Sequence, residues 1–107
     1  ITATCVRIPV LVSHAESINI EFENEFTIEK IRNVLNSAAG CVVIDEQKDG
    51  GYITPLEAEG KNETFISRIR KDNSNSKAIN LWCVSDNLLR GAALNSVEIA
   101  EAYIKNK

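Results

Sequence analysis

Cysteine is scarce in this sequence: only Cys5, Cys41 and Cys83 occur. An odd number so widely spaced fits neither a paired disulfide framework nor a zinc site, and reads as reduced thiols in a cytoplasmic protein. No apolar run approaches the roughly 18 residues of a membrane span. No charged-then-apolar leader opens the chain, so the sequence gives no indication of secretion. Neither sign of charge dominates. Twelve Lys and Arg against 15 Asp and Glu leave a net charge of −3, which gives no electrostatic reason to expect nucleic acid or an anionic membrane as partner. A Gly-rich dinucleotide fingerprint is missing as well, because Asp49-Gly50-Gly51 reads as a turn and not as G-x-G-x-x-G. Internal repeats and low-complexity tracts are also lacking.

What is present suits one modest domain. The 107 residues are 44% hydrophobic, which excludes wholesale disorder. A chain of this size buries about 65% of its unfolded surface. It begins with Ile1, not Met, and Ile1 to Ile8 reads as a β-branched strand ended by Pro9. A chain opening within a strand reads as part of a longer protein.

Ile18, Ile20 and Phe22 alternate with Asn19, Glu21 and Glu23, the pattern of a half-buried strand. Thr27 is placed to cap a helix whose apolar face carries Ile28, Ile31, Leu35 and Ala38, with Gly40 as its left-handed stop. Cys41 to Asp45 reads as a short buried strand, and residues 46–62 as a long loop with turns. Thr64 to Lys71 and Lys77 to Val84 read as two strands of an antiparallel hairpin across the turn-rich Asp72 to Ser76. Asp86 is placed to cap a long final helix with Leu89, Ala92, Ala93, Val97, Ala100 and Ile104 on its apolar side. The pattern predicts an α+β fold, a mixed, largely antiparallel sheet covered by helices.

Two residues draw attention chemically. Arg7 offers a planar fork suited to gripping a substrate carboxylate. His14, the only histidine, can exchange a proton with a nucleophile near neutrality. The same two types are also ordinary surface and salt-bridge residues, and both readings stand at this point. Arg68 and Arg70 alternate as an outward strand face and receive no role. Glu21, Glu23, Glu25 and Glu29 read as a solvated face and not a metal site. Asn62-Glu63-Thr64 matches a glycosylation sequon, which means little in a cytoplasmic protein.

An ordered set of segments goes further. Cys5-Val6-Arg7-Ile8-Pro9-Val10, His14 and Ser17 to Phe22 come first, then Thr54 to Ala58, Arg68-Ile69-Arg70 and Asn80-Leu81-Trp82. Ser85-Asp86-Asn87-Leu88-Leu89-Arg90-Gly91-Ala92-Ala93-Leu94-Asn95 closes the series. In that order, along nearly the whole chain, they resemble the C-terminal half of the aspartate-semialdehyde dehydrogenase family.

The resemblance implies a fold like the catalytic domain of glyceraldehyde-3-phosphate dehydrogenase, with residues 1–107 as a C-terminal substrate-binding and dimerisation domain. It implies a parent enzyme interconverting aspartate semialdehyde and aspartyl phosphate with NADP and phosphate, toward lysine, threonine and methionine. In that chemistry a cysteine thiolate attacks the aldehyde, hydride leaves to NADP and phosphate resolves the thioester. By the family pattern Arg7 binds the substrate carboxylate, His14 is the acid/base, and Asn87 contacts NADP. Homodimers or homotetramers are implied, assembled through the sheet. The terminal helix, residues 86–107, is expected to pack on a nucleotide-binding domain outside these residues, leaving the apolar face of residues 88–104 either exposed or repacked here.

Gly91 is expected to allow close approach of another backbone or, equally, tight helix packing. None of the three cysteines stands in the family's nucleophile context, and all three are expected to be buried small hydrophobes. These 107 residues alone are therefore expected to be inactive. Two alternatives are a non-catalytic self-association module of the same fold and the related N-acetylglutamyl-phosphate reductase. The Pro9-to-His14 spacing and the Ser85-to-Ala93 tail argue against the reductase.

Overall fold

Strand pairing follows the apolar alternation. In the computed structural model, which describes residues 1–107, four strands form one mixed sheet in the order β1-β4-β3-β2. They are β1 (His14–Glu21), β2 (Cys41–Val43), β3 (Thr64–Lys71) and β4 (Ala78–Ser85). β1 and β3 flank β4 antiparallel, whereas β2 runs parallel to β3. Helix α1 (Ile28–Ser37) lies between β1 and β2, the short helix α2 (Pro55–Ala58) between β2 and β3, and helix α3 (Leu94–Lys105) ends the chain.

The sheet is buried unequally on its two faces. On one, Ile66, Ile69, Ile79 and Leu81 form a cluster against which α1 sets Ile28, Ile31 and Leu35. Phe22 and Phe26 close this side with ring centroids 4.8 Å apart. On the other face Ile53, Ala58, Phe65 and Val84 make a smaller core beneath α2. Full burial of a side chain such as Ile79 or Val84 contributes about 1.5–3 kcal/mol. Thr27 caps α1 as expected, its Oγ1 accepting the Lys30 amide at 3.1 Å.

Several expectations are corrected. Residues 1–8 form no strand and join no strand of the sheet, and Cys5 is exposed there and not buried. Strand propensity alone does not make a strand, since its backbone groups need a partner. β1 starts at His14, four residues before the clear alternation, because β4 continues to Ser85 and supplies partners that far. α1 ends at Ala38 in an extended conformation, and Gly40, at φ +75°, serves the turn into β2.

The long loop holds α2, started by Pro55 and by the Glu57 carboxylate, which accepts from Thr54 N at 2.8 Å and Thr54 Oγ1 at 2.6 Å. The final helix is interrupted. Asp86 caps only one turn, Gly91 breaks it at φ +96°, and α3 begins at Leu94. No atom lies within 4 Å of a Cβ built on Gly91, so this glycine supplies backbone conformation and neither close approach nor tight packing. No residue of α3 is buried, and Val97, Ile99, Tyr103 and Ile104 face outward. No helix is long and apolar enough to cross a membrane.

The outward face of β3 is not simple alternation. A bulge falls between Ser67 and Arg70, with Arg68 at φ +57°. The extra residue shifts the phase, so Ile69 enters the α1-side core while Arg68 and Arg70 line the same surface cavity.

Candidate functional site

The register that pairs His14 with Ser85 sets the start of β1 beside the end of β4. Ser13 and His14 thereby meet Asp86 and Asn87. The Ser13 amide donates to Asn87 Oδ1 at 2.8 Å across 74 residues of sequence. The Ser13 hydroxyl donates to the Pro55 carbonyl at 2.7 Å, which brings the start of α2 into the same junction. His14 Nε2 lies 3.1 Å from Glu16 Oε1, with 64% of the His14 side chain exposed. A carboxylate at that distance can orient an imidazole or share its proton.

Of the three expected site residues, the structure therefore brings His14 and Asn87 to one end of the sheet. It does not bring Arg7 to them. Arg7 is exposed on the segment preceding β1, and its guanidinium makes no hydrogen bond or ion pair with this chain.

Asp86 is the buried carboxylate of the junction, 4% exposed. It accepts the amides of Gly60 and Leu88, each at 2.8 Å. The Gly60 amide foremost, with those of Leu88 and Leu89, holds its carboxyl below the usual aspartate range against the opposing effect of burial. Its neighbour Asn87 is exposed and has its Oδ1 engaged, leaving the Nδ2 amide without a partner. A free carboxamide donor suits the polar groups of a nicotinamide cofactor, so Asn87 fits one contact to such a group.

Cys83 offers no nucleophile. Burial, then the Glu16 carboxylate and Cys41, push the Cys83 thiol up to about 11, so it stays protonated near neutrality. Cys41 is half-buried on the same side of the sheet. No group of three or more His, Cys, Asp or Glu is placed to hold a metal ion.

Some residues escaped the sequence reading. Ser13 is the chief of them, and its only signal is a small polar residue directly before the sole histidine. Arg90 is another: its guanidinium donates to the Asn62 carbonyl from Nε at 3.1 Å and Nη2 at 2.7 Å, and to Glu98. It ties the terminal turn to the loop before β3. Across the sheet from α1, a surface cavity of about 310 Å³ is lined by Ser17, Tyr52, Arg68, Arg70, Leu81 and Trp82. The Arg68 guanidinium sits 5.6 Å over the Tyr52 ring, and Trp82 Nε1 donates to the Ile53 carbonyl at 3.0 Å. Tyr, Trp and Arg together are the composition of a protein-contact surface.

Comparison with known proteins gives the family. A family model described as semialdehyde dehydrogenase, dimerisation domain, matches residues 1–90. The aspartate-semialdehyde dehydrogenase of Aquifex aeolicus is 47% identical over 105 residues, 98% of this chain and 31% of that protein. That of Rickettsia bellii is 48% identical over the same coverage. A crystal structure of aspartate semialdehyde dehydrogenase II from Vibrio cholerae, complexed with ASA, superposes with a TM-score of 0.87 at 35% identity. The superposition covers 95% of this chain and 30% of that one. The chain thus spans about a third of the length of the relatives it matches. With its four-stranded mixed sheet and this match along most of its length, the chain belongs to the semialdehyde dehydrogenase dimerisation-domain family.

Proposed function

We propose that this chain is the C-terminal, substrate-binding and self-associating part of an aspartate-semialdehyde dehydrogenase. In that reading the whole enzyme is cytoplasmic and interconverts aspartate semialdehyde and aspartyl phosphate, using NADP and phosphate, on the route to lysine, threonine and methionine. The observation that carries it is the convergence of His14 and Asn87, far apart in sequence, at one end of the sheet. When bound, the cofactor supplies the hydride acceptor. Asn87 would contribute its free Nδ2 amide to that group.

His14 would take and return the proton at the reacting centre, with Glu16 orienting its ring. Arg7 would hold the substrate carboxylate by two parallel N–H donors, a geometry lysine cannot copy. The nucleophilic cysteine and the dinucleotide-binding segment would lie outside these residues, so the chain by itself would be inactive. Self-association into a homodimer or homotetramer would use the sheet face that carries Arg68, Arg70, Tyr52 and Trp82. α3 would pack on the nucleotide-binding domain.

The test is kinetic and uses the full-length enzyme that carries this chain. His14→Asn is expected to lower phosphate-dependent NADPH formation by about 100-fold or more, the usual scale for an acid/base. Arg7→Lys is expected chiefly to raise the KM for aspartate semialdehyde. Normal kinetics in both variants would remove the two assignments. Phosphate-dependent NADPH formation by the 107-residue chain alone would overturn the claim that it is incomplete.

A further inference from the structure

Only two residues other than glycine have positive φ, Ser13 at +84° and Arg68 at +57°. Residues with a Cβ rarely take this conformation, and where they do the surroundings must impose it. At Arg68 a β-bulge explains the angle. At Ser13 no bulge is present, and the residue directly precedes His14.

The surroundings at Ser13 are well defined. The residue is 9% exposed and bonded at both of its available donors, the amide to Asn87 Oδ1 and the hydroxyl to the Pro55 carbonyl. Each acceptor is itself anchored. Pro55 opens α2, which the Thr54–Glu57 pair caps. Asn87 follows Asp86, whose buried carboxylate is bonded to the Gly60 and Leu88 amides. Because the donor at Ser13 is a backbone N–H, the Asn87 atom facing it must be the carboxamide oxygen.

We propose that Ser13 is a positioning residue for His14, held in its left-handed conformation by Asn87 and Pro55. The peptide leaving Ser13 sets the direction in which His14 enters β1. An extended φ at Ser13 breaks its bonds to Asn87 and Pro55 and strains the His14–Ser85 pairing that sets the imidazole at the start of β1. Asn87 then has two duties on two atoms: Oδ1 holds Ser13, and Nδ2 remains for the cofactor. This inference rests on the reading of His14 as the acid/base. It adds to it a physical link between the acid/base and the residue assigned to the cofactor.

The experiment uses the full-length enzyme, with kcat, KM and the pH profile of kcat measured on soluble protein normalised to native oligomer. In Ser13→Val, a β-branched residue that resists positive φ replaces the serine and removes its hydroxyl. It is expected to lower kcat by about 100-fold, the scale of a misplaced catalytic group, and to displace the His14 limb of the pH profile. KM for aspartate semialdehyde is expected to change by less than about threefold, since the carboxylate contact is untouched. Ser13→Gly accepts the conformation without holding it and is expected to recover about a tenth or more of the wild-type kcat.

Asn87 gives a second measurement should Ser13→Val fail to fold. Asn87→Asp keeps an acceptor for the Ser13 amide and loses the Nδ2 donor. It is expected to raise the cofactor KM while keeping kcat within about threefold of wild type, its added charge shifting the His14 limb only upward. Asn87→Ala loses both and is expected to move both. A His14 limb unmoved in Ser13→Val, or in Asn87→Ala, overturns the proposal. If His14→Asn itself leaves kcat intact, the acid/base reading falls, and that outcome is distinct from failure of the positioning role alone.

Discussion

Asp86 Oδ2 accepts the Gly60 amide at 2.8 Å, and this single bond joins the end of β4 to the turn after α2. With the Leu88 amide on its other oxygen, the carboxyl sits below its ordinary range, so near pH 4 the folded protein binds fewer protons than the unfolded one. The stabilisation is complete above the unfolded value, about 3.9, and is lost as pH falls through the folded one. Asp72 behaves alike. Its bonds from Ser74 first, then Asn19 and Asn80, lower it to about 2. Unfolding free energy measured by urea is therefore expected to fall between about pH 4 and pH 2. Asp86→Asn is expected to flatten part of that slope, and an unchanged slope would show that the Gly60 bond carries no linkage.

A second pair is hidden between α1 and the sheet edge. Arg32 is paired with Asp45, whose side chain is only 3% exposed, and Arg32 Nη2 also reaches the Ile69 carbonyl at 3.3 Å beside the bulge. Neither Arg32 Nε nor Asp45 Oδ1 has another partner. Removing the cation strands a buried carboxylate, so Arg32→Met is expected to destabilise by about 2–4 kcal/mol, discounted because a third of the arginine side chain is exposed. Arg32→Met combined with Asp45→Leu is expected to recover most of the loss in a double-mutant cycle. Additive losses would show that the two residues act separately.

Glycines 51 and 91 differ in what they forbid. A Cβ on Gly51 would stand 2.3 Å from the Glu46 carbonyl oxygen, a backbone atom. Gly51→Ala must open the turn closed by the bond from Glu46 N to Gly51 O, and is expected to cost about 1–3 kcal/mol. A Cβ on Gly91 meets nothing, so Gly91→Ala incurs only the backbone penalty of its φ of +96°, about 1–2 kcal/mol. Gly91→Asn is expected to fall below Gly91→Ala in cost, because asparagine tolerates that region better. Chemical denaturation of the three variants ranks them, and equal costs at Gly91 would refute the conformational account.

Thiol chemistry separates the cysteines. In the 107-residue chain a thiol reagent near neutral pH is expected to label exposed Cys5 first, and Cys83, with its pKa near 11, last. Peptide-resolved mass spectrometry over time gives the order. Early labelling of Cys83 would contradict its packing under α1.

The hairpin of β3 and β4 was legible because apolar, β-branched runs flank a tract of Asp, Asn and Ser that can do little except turn. α1 was legible from Thr27 and its apolar spacing. The first strand was misread because residues 1–8 carry the propensity without a partner, which no local pattern reveals. The bulge at Arg68 was invisible for a related reason: nothing about an arginine between Ser67 and Ile69 announces a left-handed residue. At the site, His14 stands out as the sole histidine and Asn87 only through the resemblance, but their meeting depends on register between strands. Ser13 was missed because its importance lies in its backbone. Arg7 was named too, and within this chain it has no partner at all.

The strand order has a kinetic consequence. β1, the earliest of the four strands of this sheet, has β4, the latest of them, as its only neighbour. During synthesis β1 therefore emerges with Ile18 and Ile20 uncovered, and it has no strand to join until residue 78 and beyond have been made. The β3–β4 hairpin, closed by a short turn, can form quickly, whereas docking β1 requires closing a loop of about half the chain. Ribosome-bound chains ending before Ala78 are expected to show no amide protection in β1, and protection should arise together with β4. In that interval Ile18 and Ile20 lack the core cluster that covers them in the folded chain.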